Sequence, residues 1–189
     1  MLKFDEQKQL DSVNGALALR GQIESIVDDI CKKGYRNICW LGIGGTYASC
    51  LQAEIHMKER SGINFYVENA AEYLVTGNRK VGEGTVVIIS SVTGSTSEMV
   101  DGVRKAQEDG AVVIGFVDVA DTKLAKMVDH LISFPLNEQL KFFMTADRFM
   151  YNAGEFDEYN ELYSELEQHL AAALVEVEKS ADELGQRIA

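Results

Sequence analysis

The segment that most constrains the fold is Thr85–Ser90, whose sequence TVVIIS is apolar at consecutive positions and rich in β-branched residues. A strand that is apolar on both faces is typical of the centre of a parallel sheet. Helical patterns separate it from four similar segments, at Asn37–Leu41, Ile63–Val67, Ala111–Val117 and His130–Phe134. Because short connections between alternating strands and helices require parallel strands and right-handed crossovers, we predict an α/β fold: a five-stranded parallel sheet flanked by helices in three layers.

Helical patterns occupy both ends of the chain. Residues from about Asp5 to Lys33 carry apolar side chains at helical spacing, and Gly34 follows as a stop signal. From Glu138 onward the pattern is helical only, and Gly154 divides a first helix from a long acidic one, Glu158 to about Ile188. We therefore predict three parts: an N-terminal helical segment at 1–34, an α/β domain at 35–136 and C-terminal helices at 137–189.

The long acidic helix repeats leucine every four residues, at Leu162, Leu166, Leu170 and Leu174. An apolar stripe of this kind needs a partner. The sequence leaves three partners open: the sheet, a second lobe or a second subunit. We expect a homo-oligomer.

Composition excludes several classes of function. The chain has 189 residues with 18 basic and 30 acidic side chains, a net charge of −12, which argues against nucleic acid or an anionic membrane as the main partner. No apolar stretch approaches the roughly 18 residues of a membrane span. The first ten residues, MLKFDEQKQL, lack the apolar region of a secretory signal.

Cysteine and histidine are too scattered to form a disulfide framework or a metal site. The three cysteines form no C-x-x-C pair, which favours a reducing compartment and a cytoplasmic location. The three histidines lack the spacing of metal ligands, so we expect neither a metal nor another cofactor. These residues are Cys31, Cys39, Cys50, His56, His130 and His169.

The loop Gly42-Ile43-Gly44-Gly45-Thr46 lies between a predicted strand and a predicted helix. In a parallel sheet this is the edge where ligands bind, and the following helix presents free N–H groups. A dinucleotide fingerprint is disfavoured, because Tyr47 stands at the third glycine position and the nearest acidic residue, Glu68, comes 26 residues after Gly42. A tight turn without a ligand remains the alternative.

The second loop follows the most apolar strand, and its segment Ser91–Glu98 carries five hydroxyl side chains in eight residues. Hydroxyl groups at a helix start suit a phosphate ester, which needs several neutral donors together with backbone amides. Helix capping by Ser97 or Thr96 would explain one or two of these hydroxyls but not all of them. The segment therefore predicts an anion-binding loop.

Three motifs in order resemble sugar isomerase (SIS) domains. The pattern Ser91-x-Thr93-Gly94-x-Thr96-x-Glu98 is similar to that family's S-x-S-G-x-T-x-E loop, and Gly44-Gly45-Thr46 is similar to its first ligand loop, with Thr for the usual Ser. Asp121-Thr122-x-Leu124-Ala125 resembles its D-S-P-L-A segment. The resemblance covers about Asp5 to Pro135 and implies an SIS-type, flavodoxin-like sandwich that binds a phosphosugar.

The resemblance also implies roles for particular residues. The hydroxyls of Ser91, Thr93 and Thr96 would hold the phosphate, with backbone amides from Gly94 and Ser95. Val92 belongs to the same loop. Gly44, Gly45 and Thr46 would contact the sugar or its phosphate from the other side.

Within the family the chain looks most like the amino-sugar branch, which includes glucosamine-6-phosphate synthase isomerase domains and fructosamine-6-phosphate deglycases. Those proteins have two lobes, and the second supplies a glutamate base and a ring-opening histidine in a segment like S-G-E-F-x-H-G-P, which this sequence lacks. The resemblance thus implies a phosphosugar-binding lobe whose catalytic residues lie elsewhere. The alternatives are a non-catalytic sensor of sugar phosphate and a one-lobe aldose–ketose isomerase.

Proton abstraction next to a carbonyl needs a positioned glutamate or histidine. The candidates within this chain are Glu68, Glu72, Glu98, Glu138 and His56. For each of them a solvated or capping role is the favoured interpretation, so the catalytic residue stays unassigned.

Overall fold

The computed structural model describes residues 5–188. In it all five predicted strands form one parallel sheet with the order β2-β1-β3-β4-β5. The predicted α/β architecture is therefore confirmed. The strands are β1 (Asn37–Gly42), β2 (Phe65–Asn69), β3 (Thr85–Ser91), β4 (Val112–Val117) and β5 (His130–Ile132).

The helices of the described range are α1 (Glu6–Leu17), α2 (Arg20–Lys33), α3 (Gly45–Lys58), α4 (Ala70–Thr76), α5 (Ser97–Glu108), α6 (Lys123–Met127), α7 (Glu138–Asn152) and α8 (Tyr159–Ile188). The last of these has 30 residues, so at 1.5 Å per residue it is about 45 Å long. This confirms the predicted long C-terminal helix.

Helices cover both faces of the sheet, as the apolar strands predict. On one face α1, α2, α3 and α7 pack against the strand residues Ile38, Trp40, Ile88 and Phe116. On the other face α4, α5 and α6 pack against Leu41, Val87, Ile89 and Val117. Burial of both strand faces is the main source of stability for such a sheet.

Helix α7 is part of this core. The Phe142 ring lies 4.7 Å from that of Trp40 and 5.7 Å from that of Phe116, measured between ring centroids. All three side chains are fully buried. The C-terminal helices therefore begin inside the same hydrophobic core as the sheet.

The first part of α8 has its partner within the chain. Tyr159 and Tyr163 are buried, and the Tyr163 hydroxyl donates to Asp147 Oδ2 on α7 at 2.6 Å. Asp147 Oδ1 also pairs with His56 on α3. Beyond the leucine stripe, Val175 and Val177 are 60% and 64% exposed.

Strands β1, β3 and β4 match the expected bounds to within one residue, and three other elements differ by more. The N-terminal helical segment breaks at Ala18 and Leu19, giving two helices. Strand β2 lies two residues later than predicted and ends at Asn69, because the Asn69 side chain accepts the Ala71 amide and starts α4. Strand β5 ends before Phe134, whose carbonyl accepts a hydrogen bond from Lys141 Nζ at 2.7 Å.

Candidate functional site

The two predicted ligand loops lie side by side. Strands β1 and β3 are hydrogen-bonded neighbours, and each is followed directly by one of the loops. Helix α3 leaves β1 toward one face of the sheet, whereas α5 leaves β3 toward the other. This divergence is a topological switch point, where open α/β sheets form a ligand crevice at the carboxyl ends of the strands.

The first loop brings the start of α3 against the end of β1. A Cβ on Gly42 would lie 2.7 Å from the Tyr47 backbone nitrogen, so only glycine allows this approach. The Thr46 hydroxyl donates to the Ile43 carbonyl at 2.9 Å and accepts the Ile43 amide at 3.2 Å. The Thr46 side chain is thus engaged within the loop, and no side chain caps α3 at Gly44.

The second loop is built around Ser91 and Gly94. The Ser91 side chain is 4% exposed, and its Oγ accepts the Gly94 amide at 3.0 Å. Gly94 has φ +61, and a Cβ there would overlap the Thr122 side chain, lying 2.7 Å from its Cβ. The Gly94 carbonyl accepts the Leu124 amide at 3.2 Å. The segment Asp121–Ala125, which is the third motif of the family resemblance, therefore packs against the second loop and supports it. We call this second loop, Ser91–Thr96, the hydroxyl loop.

The remaining hydroxyls of the second loop face outward. Thr93 and Ser95 are exposed and Thr96 is half-buried. Thr96 is the N-cap residue of α5, but its side chain makes no capping hydrogen bond. Val92 is 62% exposed beside them. The loop therefore presents hydroxyls next to the N-terminus of α5, where the partial charge of a helix is positive.

Glu98 lies in the first turn of α5. It accepts a hydrogen bond from the Ser97 hydroxyl at 2.9 Å. The pKa of its carboxyl is lowered, chiefly by its own backbone N–H and then by Ser97. Its role here is that of an acidic residue favoured by the start of a helix.

The candidate bases lie on five different elements: Glu68 on β2, Glu72 on α4, Glu98 on α5, Glu138 on α7 and His56 on α3. Glu68 at the end of β2 accepts a hydrogen bond from Asn78, and His56 lies eleven residues into α3, about 16 Å along its axis. Glu138 begins α7 after two residues in the left-handed region, Leu136 with φ 78 and Asn137 with φ 50. None of these geometries assigns a base.

A buried ion pair lies at the carboxyl edge of the sheet. Lys141 is 1% exposed, and its Nζ lies 3.4 Å from Asp118 Oδ1, just after β4. Burial is the largest influence on both groups: it raises the pKa of Asp118 and lowers that of Lys141, and their mutual attraction opposes both shifts. Sequence reasoning missed Lys141, because a lysine within EQLKFFM reads as a solvent-facing helical position.

A separate cavity of about 260 Å³ opens at the amino edge of the sheet. Its lining includes Ile30, Tyr35, Val86 and Val112, and it borders Gly34 at the end of α2. Lys33 and Asp129 also line the cavity, so charges of both signs border it. It lies at the edge of the sheet opposite to the two predicted ligand loops.

The described residues offer neither a metal cluster nor a membrane span. Among the side chains that the structure describes, no group of three or more His, Cys, Asp or Glu could hold a metal ion. Between residues 5 and 188, no helix combines the length and apolarity required to cross a bilayer.

The fold defines a doubly wound α/β protein whose switch point lies between the loops that follow β1 and β3. Residues 33–146 match the SIS domain family, and the chain belongs to that family. The resemblance seen in the three sequence motifs is thereby confirmed.

Three similar proteins illustrate the range of this family. A curated glutamine–fructose-6-phosphate aminotransferase from Sulfurisphaera tokodaii is 27% identical over 110 residues, which are 58% of this chain and 18% of that protein. A structure described as a phosphosugar isomerase from Bacillus subtilis matches with a TM-score of 0.78 and 18% identity, over 90% of this chain and 55% of that one. The sugar isomerase domain of an RpiR transcription factor from Sphaerobacter thermophilus matches with a TM-score of 0.62 and 16% identity, over 86% of this chain and 95% of that one.

The chain thus spans about half the length of the Bacillus structure and less than a fifth of the curated relative. The structural matches establish the fold.

Proposed function

We propose that the chain binds a phosphorylated sugar in the crevice between the loops that follow β1 and β3. The observation that carries this proposal is the outward-facing hydroxyl loop, Ser91–Thr96, at the N-terminus of α5 and at the switch point of the sheet. A phosphate dianion at this place would accept hydrogen bonds from hydroxyls and from backbone N–H groups that have no partner within the helix.

The site residues divide into two kinds. Thr93, Ser95 and Thr96 supply hydroxyls to the phosphate, since their side chains face outward. Ser91 holds the loop through the Gly94 amide. Amides of other loop residues, such as Val92, complete the phosphate site, whereas the Gly94 amide is engaged by Ser91 Oγ.

The first loop contributes mainly through its backbone. The Thr46 hydroxyl is engaged by Ile43, so Gly44, Gly45 and Thr46 meet the sugar through exposed main chain and N–H groups. This arrangement leaves room for a sugar between the two loops, because no bulky side chain stands at Gly44 or Gly45.

We further propose that the chain is the phosphosugar-binding lobe of an amino-sugar isomerase or of a fructosamine-6-phosphate deglycase. The deglycase reaction takes up water and gives glucose 6-phosphate and a free amine. The similarity to an aminotransferase that acts on fructose 6-phosphate supports the amino-sugar assignment. A base supplied from elsewhere is supported by the lack of a segment like S-G-E-F-x-H-G-P in this sequence. The three free cysteines support a reducing, cytoplasmic setting.

A second candidate is a sensor module in which sugar phosphate changes the assembly of the protein. It is favoured by the similarity to the sugar isomerase domain of an RpiR transcription factor, of which this chain covers 95% of the length. In that case ligand binding would shift the oligomeric state without turnover.

Calorimetry of the 189-residue chain with glucose 6-phosphate, fructose 6-phosphate and unphosphorylated glucose tests the proposal. We expect binding of both phosphates and no binding of glucose, and no release of amine from a fructosamine 6-phosphate. Equal affinity for glucose and glucose 6-phosphate would contradict phosphate recognition. Turnover would instead place the base within this lobe, and ligand-dependent sedimentation would favour the sensor.

A further inference from the structure

Resting on that proposed function, we infer that Lys141 is a positioning residue: its buried ammonium joins two loops at the carboxyl edge and thereby holds the hydroxyl loop in its binding conformation. The Lys141 side chain acts at a distance from the proposed phosphate site. A chain of hydrogen bonds starts at Lys141 and ends at Gly94.

The first part of this chain links α7 to the loops after β4 and β5. Lys141 Nζ donates to the Phe134 carbonyl at 2.7 Å, and it lies 3.4 Å from Asp118 Oδ1. The Ser133 hydroxyl donates to the Asp118 carbonyl at 3.2 Å. Lys141 therefore ties the segment after β5 to the residue that follows β4.

The second part links Asp118 to the hydroxyl loop. The Asp118 amide donates to the Ser91 carbonyl at 3.1 Å. Ser91 Oγ in turn accepts the Gly94 amide, so the orientation of Ser91 determines where the loop begins. A displacement of Asp118 is therefore transmitted to the loop that presents the hydroxyls.

The chemistry of Lys141 argues against a role in stability alone. Burying an ammonium is energetically unfavourable, and replacing a buried ion pair with apolar side chains of similar volume is often neutral or stabilising. Lys141 Nζ also lies 5.9 Å from the Phe116 ring centroid, so an apolar side chain at position 141 could pack against that ring. What an apolar side chain cannot supply is the pair of directed hydrogen bonds to two different loops.

Helix α7 offers a matched control in Arg148. This side chain is 13% exposed and binds Asp28 through two hydrogen bonds, Nε to Oδ1 at 2.8 Å and Nη2 to Oδ2 at 2.6 Å. It forms an ion pair on the same helix, two turns further along, and it makes no contact with either ligand loop.

The experiment compares Lys141→Met, the double variant Lys141→Met with Asp118→Asn, and Arg148→Met in the full chain. Calorimetry measures the affinity for fructose 6-phosphate, and thermal melting measures stability. We expect the double variant to melt close to the wild type, because no unpaired buried charge remains, yet to bind at least tenfold more weakly. Arg148→Met should melt at a lower temperature with unchanged affinity. A double variant that binds as tightly as the wild type would overturn the inference.

Amide hydrogen exchange on the unliganded protein gives a second readout that does not depend on the ligand. We expect Lys141→Met to accelerate exchange at the Gly94 and Leu124 amides, which belong to the hydroxyl loop and its support, and Arg148→Met to leave both unchanged. Unaltered exchange in Lys141→Met would also overturn the inference. Failure of the wild type to bind any hexose phosphate, with exchange altered as expected, would instead count against the proposed function.

Discussion

Thr122 packs so closely against Gly94 that a β-carbon on Gly94 would overlap the threonine side chain, coming within 2.9 Å of its Cγ2. The Thr122 hydroxyl also caps α6 by accepting the Ala125 amide at 3.3 Å. One residue thus begins a helix and supports the loop proposed to hold phosphate. The contact depends on both the missing side chain and the positive φ of Gly94.

Gly94→Ala should therefore destabilise the protein and weaken ligand binding together. A non-glycine residue at this φ costs about 1–3 kcal/mol before any overlap is counted. The free energy of unfolding from urea titration measures the loss. Gly185→Ala is the matched control, because a Cβ there meets nothing within 4 Å, and removing a helical glycine should add about 0.5–1 kcal/mol. Equal stability of the two variants would refute the role given to Gly94.

Thr93→Val combined with Thr96→Val removes two outward hydroxyls while keeping side-chain shape. A hydrogen bond to a charged group contributes about 1.5–3 kcal/mol, so the affinity for glucose 6-phosphate should fall at least tenfold, with little change in melting temperature. Thr76→Val serves as the control, since the Thr76 hydroxyl bonds only within its own turn, to Glu72 and Gly77. If calorimetry showed an unchanged affinity for the double variant, these hydroxyls would not bind the phosphate.

Acid sensitivity should depend on Asp28. Its pKa lies below the ordinary value of 3.8, chiefly because Arg148 donates hydrogen bonds to it. A lowered folded-state pKa stabilises the protein above pH 3.8 and loses that effect as pH falls through the folded value. Asp28→Asn should therefore melt at a lower temperature than wild type at pH 7, with the gap closing as pH falls below 3.8 and through the lowered folded-state pKa. A gap independent of pH would show that charge at Asp28 is irrelevant.

Tyr163→Phe should loosen the attachment of α8. The variant leaves the buried Asp147 carboxylate with His56 as its remaining partner among the hydrogen bonds described. Loss of a hydrogen bond to a buried charged group costs about 1.5–3 kcal/mol, which denaturant titration would detect. Tyr151→Phe is the control, because its hydroxyl makes only a 3.4 Å contact with Asn160 at the surface. If both variants were equally stable, Tyr163 would contribute packing alone.

Local patterns in the sequence predicted most of the elements. Strand β3 was recognisable because β-branched residues fill both of its faces, and the hydroxyl loop because so many Ser and Thr residues have no packing role there. The family resemblance placed Thr122 in a shared motif. Its packing against Gly94 appears only in the structure, since it joins loops 28 residues apart.

What local patterns missed were long-range relationships. The break at Ala18 and Leu19 keeps both N-terminal helices against one face of the sheet, and the nearest glycines, Gly15 and Gly21, lie within the helices on either side of it. The contact of Thr46 with a ligand stays a prediction, but no local pattern indicated that its hydroxyl bonds Ile43 within the loop. The burial of Lys141 could not be predicted from local sequence, because it depends on partners distant in the chain, such as Asp118. Such choices follow from tertiary contacts rather than from propensity.

The aromatic cluster of Trp40, Phe116 and Phe142, which joins the sheet to α7, determines where this lobe can be cut for a gene fusion. A fragment cut at Pro135 would contain every strand, yet it would leave a face of the sheet bare where α7 now lies. Such a fragment would expose tryptophan and phenylalanine rings to water and aggregate. The smallest fragment suited to a fusion protein therefore includes α7 together with the sheet.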